Sequence, residues 1–183
     1  MISQWKQNVA NRFGKASWQY NQYCDVQKSA AQNLYSLLPN MHNPSVLEIG
    51  CGTGYLTKLL IRKYKHASFR ITDINPKMLT MAQKSIEAED ITYAVMDGES
   101  PDTDHSYDLI VANMAFQWFE DHKTALKNLT HILNAGSQIL YSVPGPDTFQ
   151  EWTHTLQKLN LPSGILEFST QPEIFHEEHY IEQ

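Results

Sequence analysis

The sequence predicts an α/β domain built on a doubly wound, mostly parallel sheet. From about residue 23 onward the apolar residues switch repeatedly between helical and strand-like spacing, the pattern left by strands joined through crossover helices. Residues 107–112 are apolar enough to lie buried on both faces, as a central parallel strand requires. Five such strand–helix units follow one another, so a ligand is expected outside the carboxyl ends of the strands, near the switch point.

The elements follow in order. Residues 23–38 carry Ala30, Leu34, Leu37 and Leu38 at helical spacing and are stopped by Pro39 and Asn40. Residues 45–49 form a short apolar strand that runs into a glycine loop, after which 55–65 are helical. The second strand, 68–71, ends at Asp73, and Asn75-Pro76 opens a helix to about Ala88, with proline in the first turn where its missing N–H costs nothing. Residues 91–96 are strand three, 97–106 a polar loop and 107–112 strand four. Leu126, Leu129, Ile132 and Leu133 share one face of a helix over 122–133, closed by Asn134-Ala135-Gly136 as a C-cap. Strand five is 137–143. Pro144-Gly145-Pro146 then breaks the chain, Asp147 caps a helix through Leu159, and 161–183 is irregular with one strand near its end.

Composition bounds the function. With 183 residues, 42% of them apolar, the chain can bury roughly 70% of its unfolded surface and needs no disulfide or metal staple. Fourteen basic residues against twenty acidic ones leave a charge of -6, which argues against nucleic acid and favours a small ligand. Cys24 and Cys51 have no metal-binding spacing and suit a reducing compartment. Residues 1–10 lack an apolar targeting core and no stretch reaches the roughly 18 apolar residues of a membrane helix, so a cytoplasmic protein is expected, with neither membrane nor metal as partner.

The strongest local signal is Glu48-Ile49-Gly50-Cys51-Gly52-Thr53-Gly54 between a strand and a helix, where small residues let the backbone pass close to a ligand. A dinucleotide fingerprint, G-x-G-x-x-G, would need glycine at the position of Tyr55. The spacing here is G-x-G-x-G, and it resembles the first motif of class I methyltransferases that use S-adenosyl-L-methionine, which have a Rossmann-like fold. Asp73, at the end of strand two, can accept both ribose hydroxyls of a nucleoside; a helix cap or a solvated charge is the plainer use of such a residue. The resemblance gives Asp97 the adenine amino group and puts Asn113 beside the methionine part of the cofactor. It adds Ile74 and Met78 after Asp73, Gly98 and Glu99 after Asp97, and Met114, Ala115 and Trp118 after Asn113. Trp118 and Phe116 also read as core or pocket wall. Cys51 is given no redox role.

The run Asn113-Met114-Ala115-Phe116-Gln117-Trp118-Phe119, with Asp121-His122, resembles two groups that methylate carboxylates: the malonyl-acyl-carrier-protein O-methyltransferases of biotin synthesis and the trans-aconitate methyltransferases. Val9-Ala10-Asn11-Arg12-Phe13-Gly14-Lys15-Ala16, with Tyr20 and Gln27, is more similar to the first group, in which this segment folds over the cofactor and acyl sites. The resemblance, over about residues 9–160, implies a helical cap at 1–40 and a cofactor-binding core at 41–160 within a single domain. Residues 161–183 would be an incomplete C-terminal part, since the full fold has two further strands. Tyr20 would stand at the sulfonium and acceptor as the catalytic residue, Gln27 would shape the pocket, and acyl carrier protein would be the partner. Packing of one face of an N-terminal helix is the other use of Tyr20 and Tyr23. A methyltransferase for a small free polycarboxylate, or a domain that binds the cofactor without turnover, are the alternatives.

A malonyl carboxylate, with a reference pKa of roughly 4, is already a nucleophile at neutral pH, so no general base is expected. All three arginines, Arg12, Arg62 and Arg70, lie in the first half, from which a clamp on the acceptor would have to come unless a lysine serves. His176-Glu177-Glu178-His179 lacks the H-E-x-x-H spacing of a zinc site and reads as a solvated face, and His105 and His122 as surface residues.

Overall fold

The computed structural model describes residues 2–20, 24–88, 90–145, 148 and 150–161, with only the backbone described for 15–20. It divides into two compact units, Met1–Ser142 and Val143–Gln183. The first opens with two helices, α1 (Gln4–Tyr20) and α2 (Asp25–Leu37), and continues as β1 (Ser45–Ile49), α3 (Tyr55–Lys63), β2 (Ser68–Asp73), α4 (Pro76–Ser85) and β3 (Ile91–Val95). After these come β4 (Tyr107–Asn113), a 3₁₀ turn (Phe116–Trp118), α5 (His122–Thr130) and β5 (Leu133–Ser142). In the second unit α6 (Gln150–Lys158) ends with Asn160 at φ +50° and the Leu161 N–H on the Leu156 carbonyl, a left-handed stop. Asp147, Tyr23 and the run after Leu161, with its expected strand and the His176–His179 cluster, lie outside the described residues.

The sheet is wholly parallel, in the order β3-β2-β1-β4-β5. β1 is central: β2 adds on one side and β4 on the other, so the chain reverses direction across the sheet between them. Val46, Leu47, Ile71, Leu109, Ile110 and Val111 are fully shielded from solvent, in keeping with a sheet covered by helices on both faces. Ala31 and Leu34 of α2, Leu56 and Leu60 of α3, and Leu79 and Ala82 of α4 pack over one face against Val46, Ile71 and Val111. Pro76 starts α4, whose N-cap Asn75 accepts the N–H groups of Lys77 and Met78 at 2.8 and 3.3 Å.

One boundary differs from the sequence expectation. The helix expected over 122–133 ends at Thr130, and Leu133 already belongs to β5, paired with Tyr107. Between the Tyr107–Leu133 and Leu109–Gln138 pairs the register slips, so β5 carries a bulge. Gly136, at φ +78°, makes that bulge rather than a helix cap. Elsewhere the ends move little: α3 stops at Lys63 and α4 at Ser85, shorter than their apolar patterns suggested. Among the described residues no helix is long and apolar enough to cross a membrane.

Candidate functional site

The carboxyl ends of β1, β2, β3 and β4 open into a cleft of about 780 Å³, the solvent at its open mouth included. The glycine loop forms its floor. Gly50, at φ +69°, lies so close to the loop after β4 that a Cβ there would stand 2.7 Å from the Ala115 methyl. Asp73, at the end of β2, braces the loop, because Oδ2 accepts the Gly52 N–H at 2.9 Å and Oδ1 the Asn75 N–H at 2.8 Å. Each oxygen keeps a lone pair for a ligand. Burial lifts the Asp73 pKa to about 6, against the lowering effect of those two backbone bonds.

Beyond β4, Met114 adopts φ +53°, and the turn it makes is tied down from three directions. The Met114 N–H reaches the Ser142 carbonyl at 2.9 Å, the Gln117 amide donates to the Met114 carbonyl at 2.8 Å, and the Ser142 hydroxyl donates to Asn113 Oδ1 at 2.8 Å. Asn113 Nδ2 in turn donates to the Gln27 carbonyl at 3.0 Å, linking the turn to α2.

Eleven residues expected from sequence line this cleft together: Gly50, Gly52, Asp73, Ile74, Met78, Asp97, Gly98, Asn113, Met114, Ala115 and Trp118. Gln27, Glu48 and Cys51 line a smaller pocket on the α2 side of the glycine loop, which Gly50, Gly52 and Asn113 share. There, Glu48 Oε2 and Gln27 Oε1 are buried without a hydrogen-bond partner. Burial pushes the Glu48 carboxyl up to about 8, the Thr57 hydroxyl opposes the shift, and the charge of Asp73 adds to it. Burial also raises the Cys51 thiol well above its ordinary range, with Glu48 and Asp73 contributing, so it stays protonated.

Two expected residues line neither cavity. Gly54 packs the loop on α4, where a Cβ would come within 2.8 Å of Ile86 Cδ1. Glu99 accepts the N–H groups of Glu120 and Asp121 at 3.0 and 2.7 Å, fixing the entry to α5. For Tyr20 only the backbone, in the last turn of α1, is described.

The fourth wall is α1, through Trp5, Lys6, Val9, Ala10 and Phe13. Trp5, Val9 and Phe13 recur every four residues, a helical stripe visible in the sequence that begins ahead of the Val9–Ala16 segment. Phe13 meets Trp118 edge-on at 5.3 Å between centroids, and Trp5 lies tilted 6.3 Å from it. Asn75 donates to the Ala10 carbonyl, pinning α1 to the start of α4. Lys6 carries no such sequence signal. It is 7% exposed, and its Nζ lies 2.6 Å from both Asp97 Oδ2 and Glu99 Oε2.

Residues 46–136, the span from β1 into the bulge of β5, match a family model described as a methyltransferase domain. Residues 46–136 are thus a methyltransferase domain. It is 38% identical over 166 residues to a malonyl-[acyl-carrier protein] O-methyltransferase of Priestia megaterium, covering 87% of this chain and 61% of the relative. A protein of the same name from Bacillus anthracis is 32% identical over 86% of this chain and 60% of its own length. The biotin biosynthesis bifunctional protein BioCD of Bordetella avium is 34% identical over 88% of this chain and 35% of the relative. The chain thus spans about three fifths of the first two relatives. In fold, the N-methyltransferase NodS of Bradyrhizobium japonicum, solved with S-adenosyl-L-homocysteine, superposes with a TM-score of 0.66 at 22% identity, covering 84% of this chain and 83% of that one. A methyltransferase from Haloferax volcanii, solved with its Trm112 activator, gives 0.68 at 20% identity over 78% and 66%.

The methyltransferase domain therefore gathers, at one end of its sheet, a narrow glycine floor, a buried carboxylate at the end of β2 and a second carboxylate after β3. A helix closes the open side.

Proposed function

We propose that this domain binds S-adenosylmethionine in the cleft and directs its methyl group to the free carboxylate of malonyl-acyl carrier protein, a step of biotin synthesis. The observation that carries the reading is the meeting of the glycine loop, Asp73 and Asp97 around one cleft beneath α1. The names of the relatives and the N-terminal segment support the acceptor.

The residues present fit the cofactor. Asp73 offers both carboxylate oxygens to a ribose, and Asp97 offers an acceptor to an adenine amino group. Glu48 Oε2 and Gln27 Oε1, buried and otherwise unbonded, offer two acceptors to the ammonium of the methionine part. Bound there, the cofactor supplies a methyl group made electrophilic by the sulfonium. The protein's task is orientation: an acceptor carboxylate, ionised near neutral pH, needs to be held in line with the methyl–sulfur bond, an effect worth on the order of 7 kcal/mol or more. Trp5 and Phe13 on α1, packed on Trp118, and Val9 between them in the helix would supply an apolar wall that keeps water from the acyl end. Tyr20 would direct the acceptor from the end of the same helix.

The test is methylation of malonyl-acyl carrier protein by the purified protein with S-adenosylmethionine, read as a 14 Da gain by mass spectrometry, beside free aconitate. A gain on the carrier-bound malonyl group alone supports the proposal, whereas methylation of aconitate alone would reassign the substrate to a small free acid. Cofactor binding with no turnover on either would leave a domain that binds without catalysing. A melting temperature raised by NAD but not by S-adenosylhomocysteine would overturn the whole reading.

A further inference from the structure

Lys6 stands apart on α1, a polar helix whose other described charged side chain, Arg12, is exposed. A buried ammonium is costly to desolvate unless its hydrogen bonds are satisfied, and here two carboxylates from a different part of the chain do so. Burial by itself would lower the Lys6 pKa; the bonds to Asp97 and Glu99 outweigh it and hold it above the ordinary lysine value. The two carboxylates have different roles. Besides Lys6, Glu99 accepts the Glu120 and Asp121 N–H groups before α5, and it does not line the cleft. Asp97 accepts the Glu99 N–H on Oδ1 at 3.1 Å and Lys6 on Oδ2, and it lines the cleft beside Lys6 itself. Both bonds fix the plane of its carboxylate. A lysine ammonium has three donors, so one N–H is left after the two carboxylates are served, next to the same edge of the cleft.

We infer that Lys6 is a base-positioning residue: it locks the Asp97 carboxylate so that it accepts the exocyclic amino group of the bound nucleobase, and its remaining N–H lies beside a ring nitrogen acceptor. Closure of α1 and reading of the base are then one event, because the group that completes the base site is carried on the helix that covers it. The pair of an acceptor and a donor side by side matches adenine, which presents an amino donor next to the N1 acceptor. Hypoxanthine presents a carbonyl next to an N–H, and each would meet a group of its own kind. This inference rests on the cofactor reading proposed above.

The experiment compares S-adenosylhomocysteine with S-inosylhomocysteine by titration calorimetry in the wild type, Lys6→Met, Lys6→Gln and Lys6→Arg, each first checked for a cooperative thermal transition. The wild type is expected to prefer the adenosyl compound. Lys6→Met should weaken it by about tenfold or more, the scale of a lost charge-assisted hydrogen bond, while changing the inosyl compound by no more than about twofold. Lys6→Arg should keep most of the preference. Lys6→Gln, which is uncharged but retains a donor, should fall between them and stands in if Lys6→Met does not fold. Equal weakening of both compounds would make Lys6 a packing residue of the lid and overturn the inference while leaving the cofactor reading intact. Unchanged binding in all three variants would do the same. A wild type that binds neither compound would remove the cofactor reading, and the inference with it.

Discussion

Replacing Glu48 with glutamine should change how the stability of the fold depends on pH. The Glu48 carboxyl is wholly buried and titrates at about 8 in the fold, against an ordinary 4.5. A carboxyl that holds its proton more tightly when folded stabilises the fold at low pH, and that contribution disappears as pH rises towards the folded value. From about pH 6.5 the unfolded chain has Glu48 ionised while the fold still holds most of its proton, so the loss begins at about 1.36 kcal/mol per pH unit, falls to about half that at pH 8 where Glu48 is half ionised, and comes to a little under ~2 kcal/mol across the window. Asp73, at about 6 in the fold, is mostly ionised by the start of that window and adds little to the slope. Urea unfolding at pH 6.5, 7.2 and 8.0 should therefore show the wild type losing a little under ~2 kcal/mol more than Glu48→Gln, whose neutral side chain fills the same space. Parallel slopes would mean that Glu48 is ionised and satisfied in the fold at neutral pH, and the burial argument would fail.

Asp73→Ala should weaken S-adenosylhomocysteine at least about tenfold by calorimetry, since it removes both ribose acceptors and the brace on Gly52; unchanged affinity would remove Asp73 from the site. Phe116→Ala should cost about 3–5 kcal/mol in denaturant unfolding, because the ring is 1% exposed and stacked 4.3 Å over Tyr141, and a loss below about 1 kcal/mol would contradict that packing. Arg12→Glu with Lys15→Glu should slow methylation of a carrier-bound malonyl group more at low salt than at high and leave cofactor binding unaltered, because carrier proteins are acidic; equal rates at both salts would dismiss a charge-guided encounter. Tyr20→Phe should lose turnover and keep cofactor affinity, and normal turnover would reduce Tyr20 to packing.

What the sequence made legible was whatever a short stretch of chain decides alone. The glycine loop, Asp73 and Asn113 each sit where a strand ends, and strand ends on one edge of a parallel sheet converge, so local spacing was enough to bring them together. The boundary between α5 and β5 could not be read that way. Ile132 and Leu133 suit a helix face or a strand equally, and a left-handed Gly136 serves a C-cap as well as a bulge. Pairing of Leu133 with Tyr107 on another strand settles it. Lys6 was hidden for the same reason at longer range, since its partner Asp97 lies 91 residues away and nothing in the local pattern of α1 marks one lysine as buried.

The approach of Gly50 to Ala115 makes two loops from different strands behave as a single calliper. The gap between them is set by one methyl group, so residue 115 gauges how far the chain after β4 stands from the chain after β1. A bulkier side chain at 115 would spread the jaws and shift the glycine floor. Changes at 50 and 115 should therefore be strongly non-additive, and the width of the cleft is a property that neither strand owns by itself.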